Sequence, residues 1–409
     1  MKKCVCLVSA VALAAVSSSA ADWPQWRGVD RIGVAAENIK GEWPEGGPKE
    51  LWRITLGKGY SCPAVVGDRV YITGNVEVNG ELRGFLYALE AATGKEIWSC
   101  DYGKEWSANY PMARTTPSVV GDKLVIISGM MEVICVSTDG KRLGGVDILS
   151  RFQGRNPRWG FAESPLVYDD KIICHPGGSD ASVVALSLTN GETIWTSKGL
   201  SEGATYCSPM LLTLHGVRQV VTHTDSNLVG LDADTGAVLW KGAYRNNRGI
   251  QPNTPVLVGT DIIVVGCGYG HGSHAFRVTK NDGGVFSAVQ IWENKDADNH
   301  FYGIVQHEGV LFSGGTRGGM SVIDPQTGRT LYRVEEMKSP ALVKTSDRII
   351  GYGERDGMVC LLEANAEKYT IKGKFPVTYG EGPHWAHPVV ANGTLYIRHG
   401  AILAAYQVN

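Results

Sequence analysis

The chain has 409 residues, a formal net charge of −2 and only 20% charged side chains, alongside 52 glycines and 11 tryptophans. That length holds two or three ordinary domains or one large all-β array, and the glycine- and aromatic-rich composition favours many short strands with tight turns over long helices. The near-neutral balance offers no basic excess for neutralising phosphates, which argues against nucleic acid as a partner.

The first residues, "MKKCVCLVSAVALAAVSSSA", run from two lysines through an apolar stretch to small residues. Residues 1–20 therefore read as a secretory signal peptide cleaved near Ala20 or Ala21, which makes the protein periplasmic or secreted. Cys4 and Cys6 lie inside it without the Leu-small-small-Cys setting of a lipid anchor. No later apolar run approaches the roughly 18 residues that span a bilayer, so no transmembrane segment is expected. The seven remaining cysteines, at 62, 100, 135, 174, 207, 267 and 360, are odd in number and scattered, which fits buried free thiols better than disulfides or zinc.

Residues 21–48, opening with "DWPQWRGVDRIG", form an N-terminal extension packing on the body that follows. Residues 49–56, "KELWRITL", have strand character. From there one phrase recurs: a proline or polar step, a β-branched run, a turn and a second apolar run. It reads "CPAVVGDRVYI" from 62, "TPSVVGDKLVI" from 116, "SPLVYDDKIIC" from 164, "SPMLLTLHGVRQVV" from 208 and "TPVLVGTDIIVV" from 254. Further copies are "YGIVQHEGVLF" from 302, "PALVKTSDRIIG" from 340 and "HPVVANGTLYI" from 387, eight in all. The first five phrase positions, 63, 117, 165, 209 and 255, are 54, 48, 44 and 46 residues apart, near the length of a four-stranded propeller blade. Each copy is a hairpin by its own chemistry, with an opening proline at a strand start and a Gly/Asp/Asn turn that tolerates positive φ.

A second phrase, "ALEAATGKEIW" at 88–98, returns as "ALSLTNGETIW" at 185–195 and "GLDADTGAVLW" at 230–240. It supplies the outer hairpin of each blade, and its terminal aromatic docks on the neighbouring blade; Trp98, Trp195, Trp240, Trp292 and Tyr332 hold this position. Blade two has Leu143 where the tryptophan belongs, blade five is lengthened around its turn, and blade seven offers only Tyr369 or Phe375. The last copy ends at Asn409 without room for its outer strand, which residues 49–56 then supply with Trp52 in the docking place. The predicted fold is all-β: an eight-bladed β-propeller over residues 49–409, closed by an N-terminal strand in the last blade.

These repeats resemble the pyrroloquinoline quinone (PQQ)-type repeats of exported propeller proteins, a family that includes quinoprotein dehydrogenases and the outer-membrane assembly lipoprotein BamB. The resemblance covers nearly the whole chain from Trp23. It implies two kinds of relative: enzymes holding PQQ on a tryptophan floor under a disulfide of adjacent cysteines, with Ca²⁺ and an aspartate base, and binding proteins with no cofactor. This sequence has no adjacent cysteines after the signal peptide and no Asp-rich calcium loop.

Segments leading into the innermost strands gather at one mouth of a propeller's channel. The candidate ligand or partner residues are therefore Tyr60, Arg114, Trp159, Glu163, Tyr206, Asn253, His300, Tyr302, Trp385 and His387. An aromatic and polar set of this kind suits a planar or sugar-like ligand or a protein-binding rim. Glu163 is expected to pair with Arg114 or Arg158. The histidine pairs of "HGSH" (271–274) and "HWAH" (384–387) are placed in loops as surface or mouth residues rather than metal ligands. No catalytic residue and no metal site is assigned. The reading is an exported, monomeric, non-catalytic binding or scaffold protein of the cell envelope, with a protein or glycan partner at the mouth and no cofactor; the alternative is a PQQ- and calcium-dependent dehydrogenase oxidising alcohols or sugars.

Overall fold

All proline-led phrases but that of blade seven close on a turn of positive φ, as at Gly67 (58°), Gly121 (58°), Asp169 (49°) and Asn392 (53°), so the chain reverses at once and pairs with itself. The structure, a computed structural model, describes residues 22–39 and 41–409; the proposed signal segment 1–20 lies outside them. Blade one runs outward from the axis as Ala64–Val66, Arg69–Val78, Glu81–Glu90 and Glu96–Lys104, all antiparallel. Six more blades repeat this order. The eighth has Val389–Ala391, Thr394–His399 and Ile402–Gln407, and its outer strand is Glu50–Thr55, with Trp52 opposite Ala405 and Ile54 opposite Leu403. The described residues thus form eight four-stranded sheets, an eight-bladed β-propeller closed by its N-terminal strand. Their single α-helix is the short Ile148–Arg151.

The seams between blades follow one scheme. The indole Nε1 of Trp52 donates to Ala91 O (2.8 Å), that of Trp98 to Thr138 O (3.1 Å), that of Trp195 to Ala233 O (3.2 Å) and that of Trp292 to Pro325 O (2.9 Å), each time in the next blade's outer turn. Tyr332 Oη does the same with Asn365 O at 2.6 Å. Each of the four indoles packs closely on that turn's glycine, so that a Cβ placed on Gly328 would sit 2.6 Å from the ring of Trp292, whereas Tyr332, whose receiving turn has no glycine, stacks on Tyr369 (5.9 Å). Trp240 departs from the scheme. It is buried in the core shared by blades four and five, but its Nε1 donates to Gln219 Oε1 in its own blade (2.6 Å). The lengthened blade-five hairpin, Ser273–Lys280 with Phe286–Asn294, moves the receiving turn away, and His215 Nε2 with Val278 O (2.8 Å) ties that seam instead. In blade two Leu143 is exposed, and Arg151 donates to Gly191 O (2.7 Å) across the seam. In blade seven Phe375 packs between Trp43 and Tyr406 (ring centroids 5.7 and 5.0 Å).

The stacked glycine gives a paired test within one blade. Gly309 and Gly328 both have positive φ, +79° and +74°, but a side chain at Gly309 meets open space. Gly309→Val should cost about 1 to 2 kcal/mol of backbone strain, and Gly328→Val about 1 to 3 kcal/mol more, for overpacking against Trp292. Urea midpoints compare the two; equal losses would show that the close approach does not hold the seam.

The axial channel is filled by the chain itself. Trp23 exchanges two hydrogen bonds with Val65 in blade one (2.7 and 2.8 Å), and Val119 N of blade two donates to Pro24 O (2.8 Å). Arg31 donates to Ser164 O and Pro165 O of blade three, Trp26 Nε1 to Thr254 Oγ1 of blade five and Arg27 to Ile304 O of blade six. Ala35 N donates to Lys344 O of blade seven, and Glu37 Oε2 accepts from Gly393 N of blade eight. Ile32 packs on the core shared by blades four and five. Residues 22–39 therefore form a plug that touches the whole ring, and Trp26 is its inner tip.

Candidate functional site

Above Trp26 the channel opens into a cavity of about 290 Å³ walled mostly by aromatic rings. Trp385 is its hub, with Tyr60 and Tyr110 at centroid distances of 4.7 and 5.0 Å and Phe301 edge-on at 5.8 Å. Trp159 and Tyr206 form the opposite wall (6.2 Å), Tyr269 leans on His300 (4.7 Å), and Trp26 meets His387 at the floor (4.6 Å). Each ring comes from a segment entering an innermost strand, or from the plug, or, for Tyr269, from the loop after a second strand. Arg114 braces the rim by donating to the carbonyls of Asn109, Tyr110, Trp159 and Gly160. Trp385 is fixed in turn, because its Nε1 donates to Glu354 Oε1 (2.6 Å), whose other oxygen accepts from Tyr302 Oη (2.6 Å).

Of the ten residues expected at the mouth, Tyr60, Arg114, Trp159, Tyr206, His300, Trp385 and His387 line this cavity. Tyr302 faces an adjoining recess of about 470 Å³ with Asp298, Arg317, Glu354 and Arg355. Glu163 and Asn253 do not reach the cavity. Glu163 is fully buried against His175 Nδ1, with Arg31 raising the local positive potential, and pairs with neither Arg114 nor Arg158. Asn253 is buried and donates to Asn299 Oδ1 at 2.7 Å. Trp26, Tyr269 and Phe301 were missed from the sequence; the tryptophan of "DWPQW" was the one visible signal, since a second indole so near the start of an extension needs something to cover. His274 is not in a loop: it lies in Ser273–Lys280, buried, with His271 stacked on it at 4.7 Å.

The site carries no titrating charge near neutrality. Burial pushes the Tyr60 phenol up to about 12 and also raises Tyr206, so both stay protonated. Burial holds His300 down to about 4 and His387 to about 3, leaving neutral imidazoles. His223, buried in the second strand of blade four, and His384, stacked on His399, are likewise lowered, to about 3 and about 4. An unfolded histidine titrates near about 6.5. Between pH of about 6.5 and about 4 the unfolded chain thus binds protons that the folded chain refuses, so stability rises with pH through that window and is lost on acidification. Melting temperature should fall steadily from pH of about 7 to about 5; a flat profile would mean that these imidazoles take up protons in the folded state.

The quinone and calcium chemistry implied for part of the family finds no donor set here. Calcium wants several converging oxygens, but no carboxylate lines the aromatic cavity, Glu163 is committed to His175 and Asn253 to Asn299. Among the described residues no three His, Cys, Asp or Glu side chains converge on a common point, and all seven cysteines after the signal are free thiols. The residues present do not fit the group. No helix among the described residues is long and apolar enough to cross a membrane.

The family model described as outer membrane protein assembly factor BamB matches residues 44–141 and 82–334. The outer membrane protein assembly factor BamB of Burkholderia pseudomallei (strain K96243) is 24% identical over 368 residues, covering 85% of each chain. Among solved structures, BamB from Moraxella catarrhalis superposes with a TM-score of 0.61 at 14% identity, over 88% of this chain and 99% of that one. The quinohemoprotein alcohol dehydrogenase from Comamonas testosteroni does so with a TM-score of 0.68 at 12% identity, over 95% and 80%. At those identities the two structures speak for the ring and not for its use. The matched family model spans more than half of the 409 residues and lies on the blades just described, so the chain belongs to the PQQ-like β-propeller family of outer membrane protein assembly factor BamB.

Proposed function

We propose that this protein is an exported, non-catalytic propeller of the cell envelope that works as a binding or scaffold component, in the manner of an outer-membrane assembly factor, and engages its partner at the aromatic mouth. The observation that carries the reading is the make-up of that mouth: tilted and edge-on rings, protonated phenols and neutral imidazoles, with no carboxylate or thiol among the cavity's lining residues to carry a nucleophilic step. The family and the name of the curated relative support the assembly role. Residues 1–20 support export to the periplasm. No cofactor belongs to the proposal.

Two measurements test it. A photo-crosslinking residue at Tyr110, which is half exposed on the rim, should give discrete protein adducts in envelope preparations, and one at Ile97 on a blade flank should not. The purified protein supplied with PQQ and Ca²⁺ should show no bound-quinone absorbance and no dye-coupled oxidation of alcohols or sugars. Oxidation without rim adducts would overturn the reading in favour of a dehydrogenase.

A further inference from the structure

The aromatic cavity continues on one side into a groove of about 460 Å³ that shares Trp159, Tyr206 and Ile250 with it. Arg155, Arg158, Arg245 and Arg248 line this groove against one acid, Asp225. All four are exposed, and none forms an ion pair among the described residues. Elsewhere arginines on the blade flanks have partners: Arg83 with Asp101 (2.6 Å), Arg218 with Asp169 (2.9 Å), Arg277 with Asp261 (3.3 Å). The groove also ties its charge to the cavity wall, since the Arg158 guanidinium lies 5.2 Å from the Trp159 ring centroid and that of Arg248 4.9 Å from Tyr269. A protein of net charge −2 therefore concentrates unpaired positive charge beside an apolar socket.

Unpaired guanidinium groups in a groove favour carboxylates, which they bind by two parallel hydrogen bonds, and they raise the encounter rate with an acidic partner. A cavity of about 290 Å³ is sized for one large aromatic side chain rather than for an extended chain. We propose that the mouth binds an acidic peptide segment that inserts one aromatic side chain between Trp159 and Trp385 and lays its carboxylates along the four groove arginines. This rests on the reading of the mouth as a binding surface and specifies what it binds.

The test titrates the mature chain with the synthetic peptide Asp-Glu-Asp-Trp-Asp-Glu-Asp, its Lys counterpart Lys-Lys-Lys-Trp-Lys-Lys-Lys, the tryptophan-free Asp-Glu-Asp-Ala-Asp-Glu-Asp and an oligogalacturonate. The acidic tryptophan peptide should bind, at least about tenfold tighter than the other peptides, and lose about tenfold or more on raising salt from about 0.05 to about 0.5 M. The charge reversals Arg158→Glu and Arg248→Glu together should cost about tenfold as well, with an unchanged melting temperature because both lie on exposed loops. The salt series on the unmodified protein keeps the idea testable if the variant misfolds. Equal binding of acidic and basic peptides would overturn the role of the arginines, and binding of the oligogalacturonate without the peptide would replace the peptide with an acidic glycan; in both cases rim crosslinking at Tyr110 still stands. Absence of all binding together with absence of rim adducts would remove the mouth as a binding surface altogether.

Discussion

Deletion of residues 22–39 from the mature protein should lower the melting midpoint by about 10 °C or more, and deletion of everything before Gly57 should leave a chain that aggregates. The second result follows from ring closure alone, because Glu50–Thr55 is the outer strand of the eighth blade and Trp52 fills the seam to blade one. Loss of a buried tryptophan by itself costs about 3 to 5 kcal/mol. The first result is larger than the sequence led us to expect, since an extension on the outside of a propeller would matter less than a closing strand. Residues 22–39 are not on the outside: Trp23, Ile39, Arg27 and Arg31 are each at most 3% exposed. Without them the channel would be an open bore, and the carbonyls of Ser164 and Pro165, just before the blade-three inner strand, and of Ile304 would lose Arg31 and Arg27 as donors. Floor and cavity should go together, because Trp26 leaves with the plug, so any ligand of the mouth should also be lost. Equal midpoints for the full mature chain and the 22–39 deletion would show that the plug only rests in the channel and carries none of its stability.

What the residues disclosed in advance and what they hid have different physical origins. The hairpins were legible because their chemistry is local: a proline at a strand start, β-branched runs and a positive-φ turn all lie within about a dozen residues. The closing strand was legible by arithmetic, since eight inner phrases met too few outer ones. The Trp240 seam was not, because the partner turn depends on the length of the next blade's hairpin, which only the fold relates to it. The plug was invisible for the same reason, with Trp26 reaching Thr254 across 228 positions. Glu163 stands next to a Ser-Pro step like the true lining residues, but its side chain turns inward to His175, and irregular segments before a strand give no parity from which to tell the two faces. Net charge concealed most of all. A balance of 39 basic against 41 acidic side chains says nothing about where they stand, and the fold gathers unpaired arginines at one end.

Replacement of Arg398 by methionine should destabilise the protein by about 3 to 5 kcal/mol, as much as breaking a buried ion pair, although Arg398 has no carboxylate partner. Its guanidinium is 1% exposed and sits where the eighth blade meets the first. It donates to Gly57 O (2.8 Å), Thr73 O (2.7 Å) and Ser61 Oγ (2.6 Å), and its Nε donates to Gly400 O (3.0 Å). Burial lowers its pKa to about 10, so the group stays charged at neutral pH, its charge spread over carbonyl dipoles from both sides of the seam. The site is built around that fork, since a Cβ on Gly59 would lie 2.3 Å from it. Methionine approaches the volume but takes away the donor of the Gly57 and Ser61 carbonyls, at about 1 to 3 kcal/mol each, whereas Thr73 O keeps Ser61 Oγ (3.2 Å) and Gly400 O keeps Gly59 N (3.1 Å). Lysine restores charge without the planar fork and should recover only part of the loss. Arg83 is the control, a guanidinium bridging Glu81 and Asp101 on an open blade surface, and Arg83→Met should stay within about 1 kcal/mol. Urea unfolding of the three variants separates these cases. A midpoint for Arg398→Met no lower than that of Arg83→Met would mean that the closing strand and Trp52 hold the ring shut without the arginine, and that the buried charge at the seam is merely tolerated.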